Sequence, residues 1–131
     1  MSCQFLLIRR EIAGVPVEEL VHQGGTPVFV YDATVILERI HDLAAFDIVR
    51  YAQKACSNLA ILDLCRRQGT VVDAVSGGEI LRAEAAGFIA TGDPYPIVYT
   101  ADIFDLQTLD LVVAKGIHVN CGSPDMISQL G

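Results

Sequence analysis

Positive charge is scarce in this sequence: nine lysines and arginines stand against sixteen aspartates and glutamates, for a formal net charge of −7. Nucleic acid and anionic membrane surfaces would repel such a chain at long range, which argues against both as partners. Any phosphate it binds must be caught locally. No apolar run approaches the ~20 residues that a bilayer span requires. A secretory signal is not expected either, because the opening MSCQFLLIRREIAG places its arginines after a short apolar run instead of before a long one. The cytoplasm is therefore the expected location. The four cysteines, Cys3, Cys56, Cys65 and Cys121, make no C-x-x-C pair and no metal-ligand spacing with the three histidines. Neither a zinc site nor a redox pair is expected, and the thiols read as reduced.

What the chain does have is apolar material in a regular rhythm. Its 131 residues are 52% hydrophobic and 19% charged, the makeup of one folded unit rather than a disordered segment. Short β-branched runs at 27–32 (PVFVYD), 48–52 (IVRYA), 71–75 (VVDAV), 97–100 (IVYT) and 117–120 (IHVN) read as strands. They are nearly all apolar and do not alternate, as expected of parallel strands covered on both faces. Between them Ile36, Ile40, Leu43 and Ala44 recur at helical spacing. So do Ile61, Leu64 and Cys65, and later Leu106, Leu109, Val112 and Val113, so each set predicts a buried helix stripe. Gly69, Gly87 and Gly116 fall where helices should stop. Ser76 with Glu79, Asp105, and Ser123 before Pro124 fall where they should start. Ahead of all this, PVEELVHQGG predicts a short helix with Pro16 at its first turn and Gly24-Gly25 ending it.

Strand starts 20 to 26 residues apart mark consecutive βα units. Such a repeat builds either a closed barrel or an open doubly wound sheet. No G-x-G-x-x-G follows the first strand, which disfavours the nucleotide-binding open sheet. A complete (β/α)8 barrel takes eight units and typically about 250 residues. With roughly five units present, the expectation is part of a barrel, with an N-terminal segment over 1–26 and barrel from 27 to 131. The remainder of the barrel and any further domain would lie outside this stretch, and the stretch alone is expected to be inactive.

Lys54 is the leading chemical candidate. It follows the apolar strand IVRYA, and Ser57-Asn58 then open the next helix, which sets its amine at the C-terminal end of a strand. Barrel enzymes place their active sites on that rim. A lysine that bonds to an aldehyde must first be neutral, and the edge of an apolar core favours that form. The alternative for any lysine after a strand is a solvated loop position. Asp73 and Glu79 have alternatives of their own: Ser76-x-x-Glu79 is a capping box, and Asp73 could bond turn amides. Ser76 with Gly77-Gly78 could cradle an anion at a helix start, although capping is the simpler role. Cys56 has no base placed by any motif and reads as packing, and His22, His41 and His118 read as structural.

The stretch FDIVRYAQKACSNLAIL resembles the strand and turn that carry the cofactor lysine in the fold-type III pyridoxal-phosphate decarboxylases. The likeness starts at TPVFVYD and continues through VVDAVSGGEILRAEAAG and IVYTADIFDLQTLDLVVAKGIHVNCGSPDMISQLG. It therefore spans residues 26–131 in order. Most members have asparagine where this chain has Cys56, and a glycine and lysine in the place of the TADIFD block. QKACSN, TAD and the VN-x-GS-x-DM-x-x-QLG ending resemble instead a branch of bacterial diaminopimelate decarboxylases.

That resemblance implies an alanine racemase-like partial TIM barrel binding pyridoxal 5'-phosphate on Lys54, with Asp73 and Glu79 beside the cofactor and no metal. It implies decarboxylation of meso-2,6-diaminopimelate to L-lysine and carbon dioxide by a homodimer. Phosphate-binding glycines and an E-P-G-R-like segment would come later in the chain. Two other readings remain beside it: a non-catalytic barrel that carries the cofactor without turnover, and a decarboxylase of ornithine or arginine.

Overall fold

Residues 9–131 are described by the computed structural model, and they fall into two units divided between Arg39 and Ile40. Cys3 lies outside the described residues. In the first unit, β1 (Glu11–Ile12) and β2 (Val15–Pro16) pair antiparallel. Ala13 and Gly14 link them at φ 51° and 77°, the double positive φ that a two-residue hairpin turn demands. The chain passes directly into α1 (Val17–Gly24), with Pro16 at its N-cap and Gly25 turning out at φ 73°. This is the short helix that the flanking Pro and Gly residues predict.

Residues 27–32 form no strand, contrary to the sequence expectation. A strand exists only through ladder bonds to a neighbour, and PVFVYD has none; β-branched composition alone cannot supply them. Helix α2 (Ala33–His41) begins with the Thr34 amide donating to Asp32 Oδ1 at 2.9 Å. None of its residues is buried. Ile36 and Ile40 lie in it and are half-buried, while Leu43 and Ala44 fall in the turn after His41, so only half of the expected stripe is helical.

The second unit is a run of βα repeats. Strand β3 (Arg50–Ala52) leads through a 3-10 turn (Gln53–Ala55) to α3 (Leu59–Arg67). There follow β4 (Val71–Ala74), α4 (Gly77–Ala85), β5 (Ile97–Thr100), α5 (Leu106–Lys115), β6 (His118–Asn120) and α6 (Pro124–Leu130). The four strands form one parallel sheet in sequence order, β3-β4-β5-β6. A doubly wound sheet reverses its order at a switch point; this one advances one strand at a time, which is how an arc of a (β/α) barrel grows. The arc holds four paired strands rather than the five expected, because 27–32 forms no strand.

Helix ends follow the sequence signals. Asn58, Ser76, Asp105 and Ser123 each cap a helix by accepting a bond from the amide two or three residues on. The Thr108 side chain and amide bonds hold the Asp105 carboxyl below its ordinary pKa. Gly69, Gly87 and Gly116 leave their helices at φ 76°, 91° and 63°.

The core lies between the sheet and α3 to α5, around Leu62, Val72, Ile80, Ile97, Tyr99 and Val112. In α3 the buried residues are Ile61, Leu62 and Cys65, so the stripe runs through Leu62 and leaves Leu64 half-buried. Helix α5 is turned further from expectation. It buries Thr108, Leu109 and Val112, while Leu106 is 81% and Val113 65% exposed. The cap at Asp105 fixes where the helix starts, but packing sets which face turns inward, and here it brings a threonine inward.

Thr108 faces inward because α4 comes close. A Cβ on Gly77 would stand 2.8 Å from Thr108 Oγ1, nearer than real contacts allow. At the other end, Lys115 Nζ meets Glu84 Oε1 at 2.8 Å, joining α5 to α4, and Arg66 Nε donates to the Ala86 carbonyl at 3.0 Å, joining α3 to α4. Gly77→Ala should therefore destabilise the intact protein by about 1 to 3 kcal/mol through overpacking. Combined with Thr108→Ala it should lose less than the sum of the two single losses, as urea unfolding of the three variants would measure.

Candidate active site

Every parallel strand in the arc ends on the same side, and the chemistry-bearing residues gather there. Lys54 occupies the middle of the 3-10 turn that leaves β3, with its side chain exposed. Asp73 is the third residue of β4 and the register partner of Ala52, two residues before Lys54. Val75 leaves β4, and Thr100 ends β5 ahead of Ala101, Asp102 and Ile103. These seven residues line one open cavity of about 420 Å3. Thr100 is also tied across the ladder, since Asn120 Nδ2 donates to its Oγ1 at 2.8 Å and the two residues are register partners.

Within this cavity one atom stands out. Asp73 Oδ1 is buried and has no hydrogen-bond partner. A buried polar atom left alone costs about 1 to 3 kcal/mol and calls for an explanation. No turn amide bonds it, so that structural alternative does not account for Asp73. Lys54 lines the same cavity, and among the described residues no hydrogen bond or ion pair holds its amine. The chain's other lysine, Lys115, is committed to Glu84.

Glu79 is placed differently. Its Oε2 accepts from the Val75 amide at 2.8 Å, while its own amide donates to Ser76 Oγ at 3.3 Å. That is reciprocal capping of α4. Val75 lines the cavity and Glu79 does not, so Glu79 reaches the site by holding the wall rather than forming it. Ser76 and Gly77-Gly78 serve the same helix start. The hollow beside those glycines, about 290 Å3, also faces the Asp105 carboxyl, which disfavours an anion there.

Gln53 was not legible as a functional residue. It is completely buried, and its Nε2 donates to the Glu79 carbonyl at 2.7 Å. Its own carbonyl accepts from the Cys56 amide at 3.1 Å and Ser57 Oγ at 3.2 Å. The one sequence signal was an amide side chain directly before Lys54, where an apolar strand turns the corner.

The remaining candidates sit away from chemistry. Cys56 is half-buried, and its carbonyl accepts from Tyr51 Oη at 3.1 Å. Burial pushes the Cys65 thiol up from its usual pKa, away from the reactive thiolate. His118 begins β6, at the opposite end from the rim, and its ring stacks on Tyr95. His22 and His41 are exposed. Among the described residues no cluster of His, Cys, Asp or Glu is arranged to hold a metal, and no helix is long and apolar enough to cross a membrane.

A group that offers an aldehyde to Lys54 and a hydrogen-bond donor to Asp73 would satisfy both features of this cavity, and pyridoxal 5'-phosphate fits that description. Comparison with known proteins points the same way. The family model for the pyridoxal-binding domain of pyridoxal-dependent decarboxylases matches residues 30–131. The chain is 57% identical over 109 residues to the diaminopimelate decarboxylase of Streptomyces coelicolor, covering 83% of this chain and 25% of that protein. It is 55% identical over 107 residues to the diaminopimelate decarboxylase of Escherichia coli, covering 82% and 26%. Among solved structures, a crystal structure of diaminopimelate decarboxylase superposes with a TM-score of 0.82 at 53% identity, over 86% of this chain and 27% of that one. A crystal structure of diaminopimelate decarboxylase from M. jannaschii in complex with L-lysine does so at 0.79 and 26% identity, over 92% and 30%. The chain thus spans about a quarter of the length of the relatives it matches. A sequential parallel arc, a free lysine on its C-terminal rim and a family match over nearly the whole arc lead to one conclusion: the chain belongs to the pyridoxal-dependent decarboxylases, within their pyridoxal-binding domain.

Proposed function

We propose that the intact protein decarboxylates meso-2,6-diaminopimelate to L-lysine and carbon dioxide, using pyridoxal 5'-phosphate held on Lys54. The observation that carries this reading is the shared cavity, in which an unpaired lysine amine and a partnerless Asp73 oxygen line one wall. The 55–57% identity to diaminopimelate decarboxylases supports that substrate over ornithine or arginine. The resemblance read in the sequence implies a homodimer, which the proposal adopts together with the cytoplasm as its expected location.

When bound, the pyridoxal ring supplies an electron sink for the electron pair left as carbon dioxide departs. The residues of this chain do the holding. Lys54 Nζ would anchor the group covalently, and it must give up its proton to do so. Asp73 Oδ1 would accept a hydrogen bond from the held group and so fix its orientation against β4. Thr100 Oγ1 already accepts from Asn120, which leaves its hydroxyl proton free to donate into the cavity. Val75, Ala101 and Ile103 supply apolar wall that keeps water from part of the bound ring. Glu79 acts one step back, through the Val75 amide.

The intact protein should release carbon dioxide from meso-diaminopimelate and form L-lysine, with little release from ornithine or arginine. Equal turnover of ornithine would contradict the substrate assignment, and cofactor binding with no release from any of the three would favour the non-catalytic barrel. Asp73→Asn separates stability from function at the same site. An amide costs less than a carboxylate to hold away from water without a partner. The variant should therefore be more stable than wild type without cofactor, by about 1 kcal/mol in urea unfolding, yet retain pyridoxal phosphate less well through desalting. A loss of stability without cofactor would contradict this account of Asp73.

A further inference from the structure

We infer that Gln53 is a positioning residue for Lys54, acting through a single side-chain hydrogen bond to the start of α4; this rests on the assignment of Lys54 above. Gln53 is the residue immediately before the lysine, yet its side chain goes the opposite way, into complete burial. There Nε2 donates to the Glu79 backbone carbonyl at 2.7 Å, the short end of the range for such bonds. Its backbone carbonyl closes the turn on the other side, accepting from the Cys56 amide and Ser57 Oγ. Lys54 is therefore held between two fixed points rather than carried on a loose loop.

Glu79 gives the bond its significance. The residue that receives the Gln53 amide also holds the Val75 amide through its carboxylate. One turn of α4 thus registers two walls of the cavity against each other: the Lys54 turn by way of Gln53, and the Val75 segment by way of Oε2. The Gln53 bond crosses 26 residues of sequence, and it alone among the described side-chain bonds joins the Lys54 turn to α4's first turn.

Simple stability is a poor explanation for this glutamine. Its Oε1 is buried without any partner, so the side chain makes one bond and leaves one acceptor unsatisfied. The net contribution of such a pair is near zero, since a typical bond gains about 1 kcal/mol and an orphaned buried group costs at least as much. An apolar side chain of the same length would fill the space without that penalty. What such a side chain could not do is fix the lysine turn in direction, and an amine misplaced by about 1 Å can lose up to two orders of magnitude in rate.

The test uses the intact protein and follows the rate at which Lys54 traps pyridoxal phosphate, by borohydride quench and quantification of the labelled peptide, alongside melting temperature. Gln53→Met keeps the length and removes both the donor and the orphan oxygen. Its melting temperature should equal or exceed that of wild type, while its rate of labelling at Lys54 falls roughly tenfold or more. Gln53→Glu keeps the shape and can donate the same bond only while its carboxyl is protonated. Its rate, divided by that of wild type at each pH, should approach one in acid and fall as pH rises. An unchanged labelling rate in Gln53→Met, or a pH-independent ratio for Gln53→Glu, would overturn the inference. Should Gln53→Met fail to fold, the Gln53→Glu ratio decides alone. A wild-type label at a residue other than Lys54 would instead defeat the cofactor assignment, so the two failures are distinct.

Discussion

The parallel backbone ladder from β3 to β6 is the constraint on which the rest depends. Buried strands must bond their amides and carbonyls to neighbours, and parallel neighbours can be joined only by a crossover long enough to hold a helix. Once the strands run in sequence order, all of their C-terminal ends emerge on one side. Lys54, Asp73, Thr100 and Asn120 are far apart in the chain, yet each lies at or just beyond the end of a strand, so the ladder delivers them to one rim. The site is a consequence of strand direction before it is a consequence of any single contact.

Helix starts then set the finer geometry. Each cap fixes the first turn of a helix, and packing then decides which face the helix turns to the sheet. At α4 the consequence reaches the cavity directly, because Ser76 and Glu79 define the turn that receives Gln53 and holds Val75. At α5 Asp105 caps the first turn, and Thr108 faces inward opposite Gly77, where a larger residue would not fit. The electrostatic character of the rim is mixed. Among the lining residues Lys54 is the one cation, set with the carboxyls of Asp73 and Asp102. Such a lining suits a covalently anchored ring better than a freely bound anion.

Much of this was readable beforehand because it follows from local rules. The caps at Ser76, Asp105 and Ser123 and the stops at Gly69, Gly87 and Gly116 rest on backbone chemistry that a few adjacent residues determine, and the four paired strands showed as β-branched runs at the spacing of βα units. The position of Lys54 on the rim was readable from its place after a strand, and its proposed role comes from the resemblance around it. What escaped depends on neighbours distant in sequence. PVFVYD has strand composition and no ladder partner. Leu106 and Val113 have helical spacing but lie on the face of α5 that packing leaves outward. The bond from Gln53 to Glu79 spans 26 residues, and no periodicity reports a hydrogen bond between a side chain and a distant carbonyl. Glu79 was legible as a residue near the site, but only the structure distinguishes an acid that lines a cavity from one that holds its wall.

The central claim is that Lys54 anchors the cofactor on this rim. With two lysines in the whole chain, one unpaired beside Asp73 and the other paired with Glu84, the claim has a direct chemical measurement. The intact protein, loaded with pyridoxal phosphate, reduced with borohydride and digested, should carry its pyridoxyl label on the peptide containing Lys54. A label on Lys115, or an unlabelled Lys54 in protein that has retained its cofactor, would contradict the account.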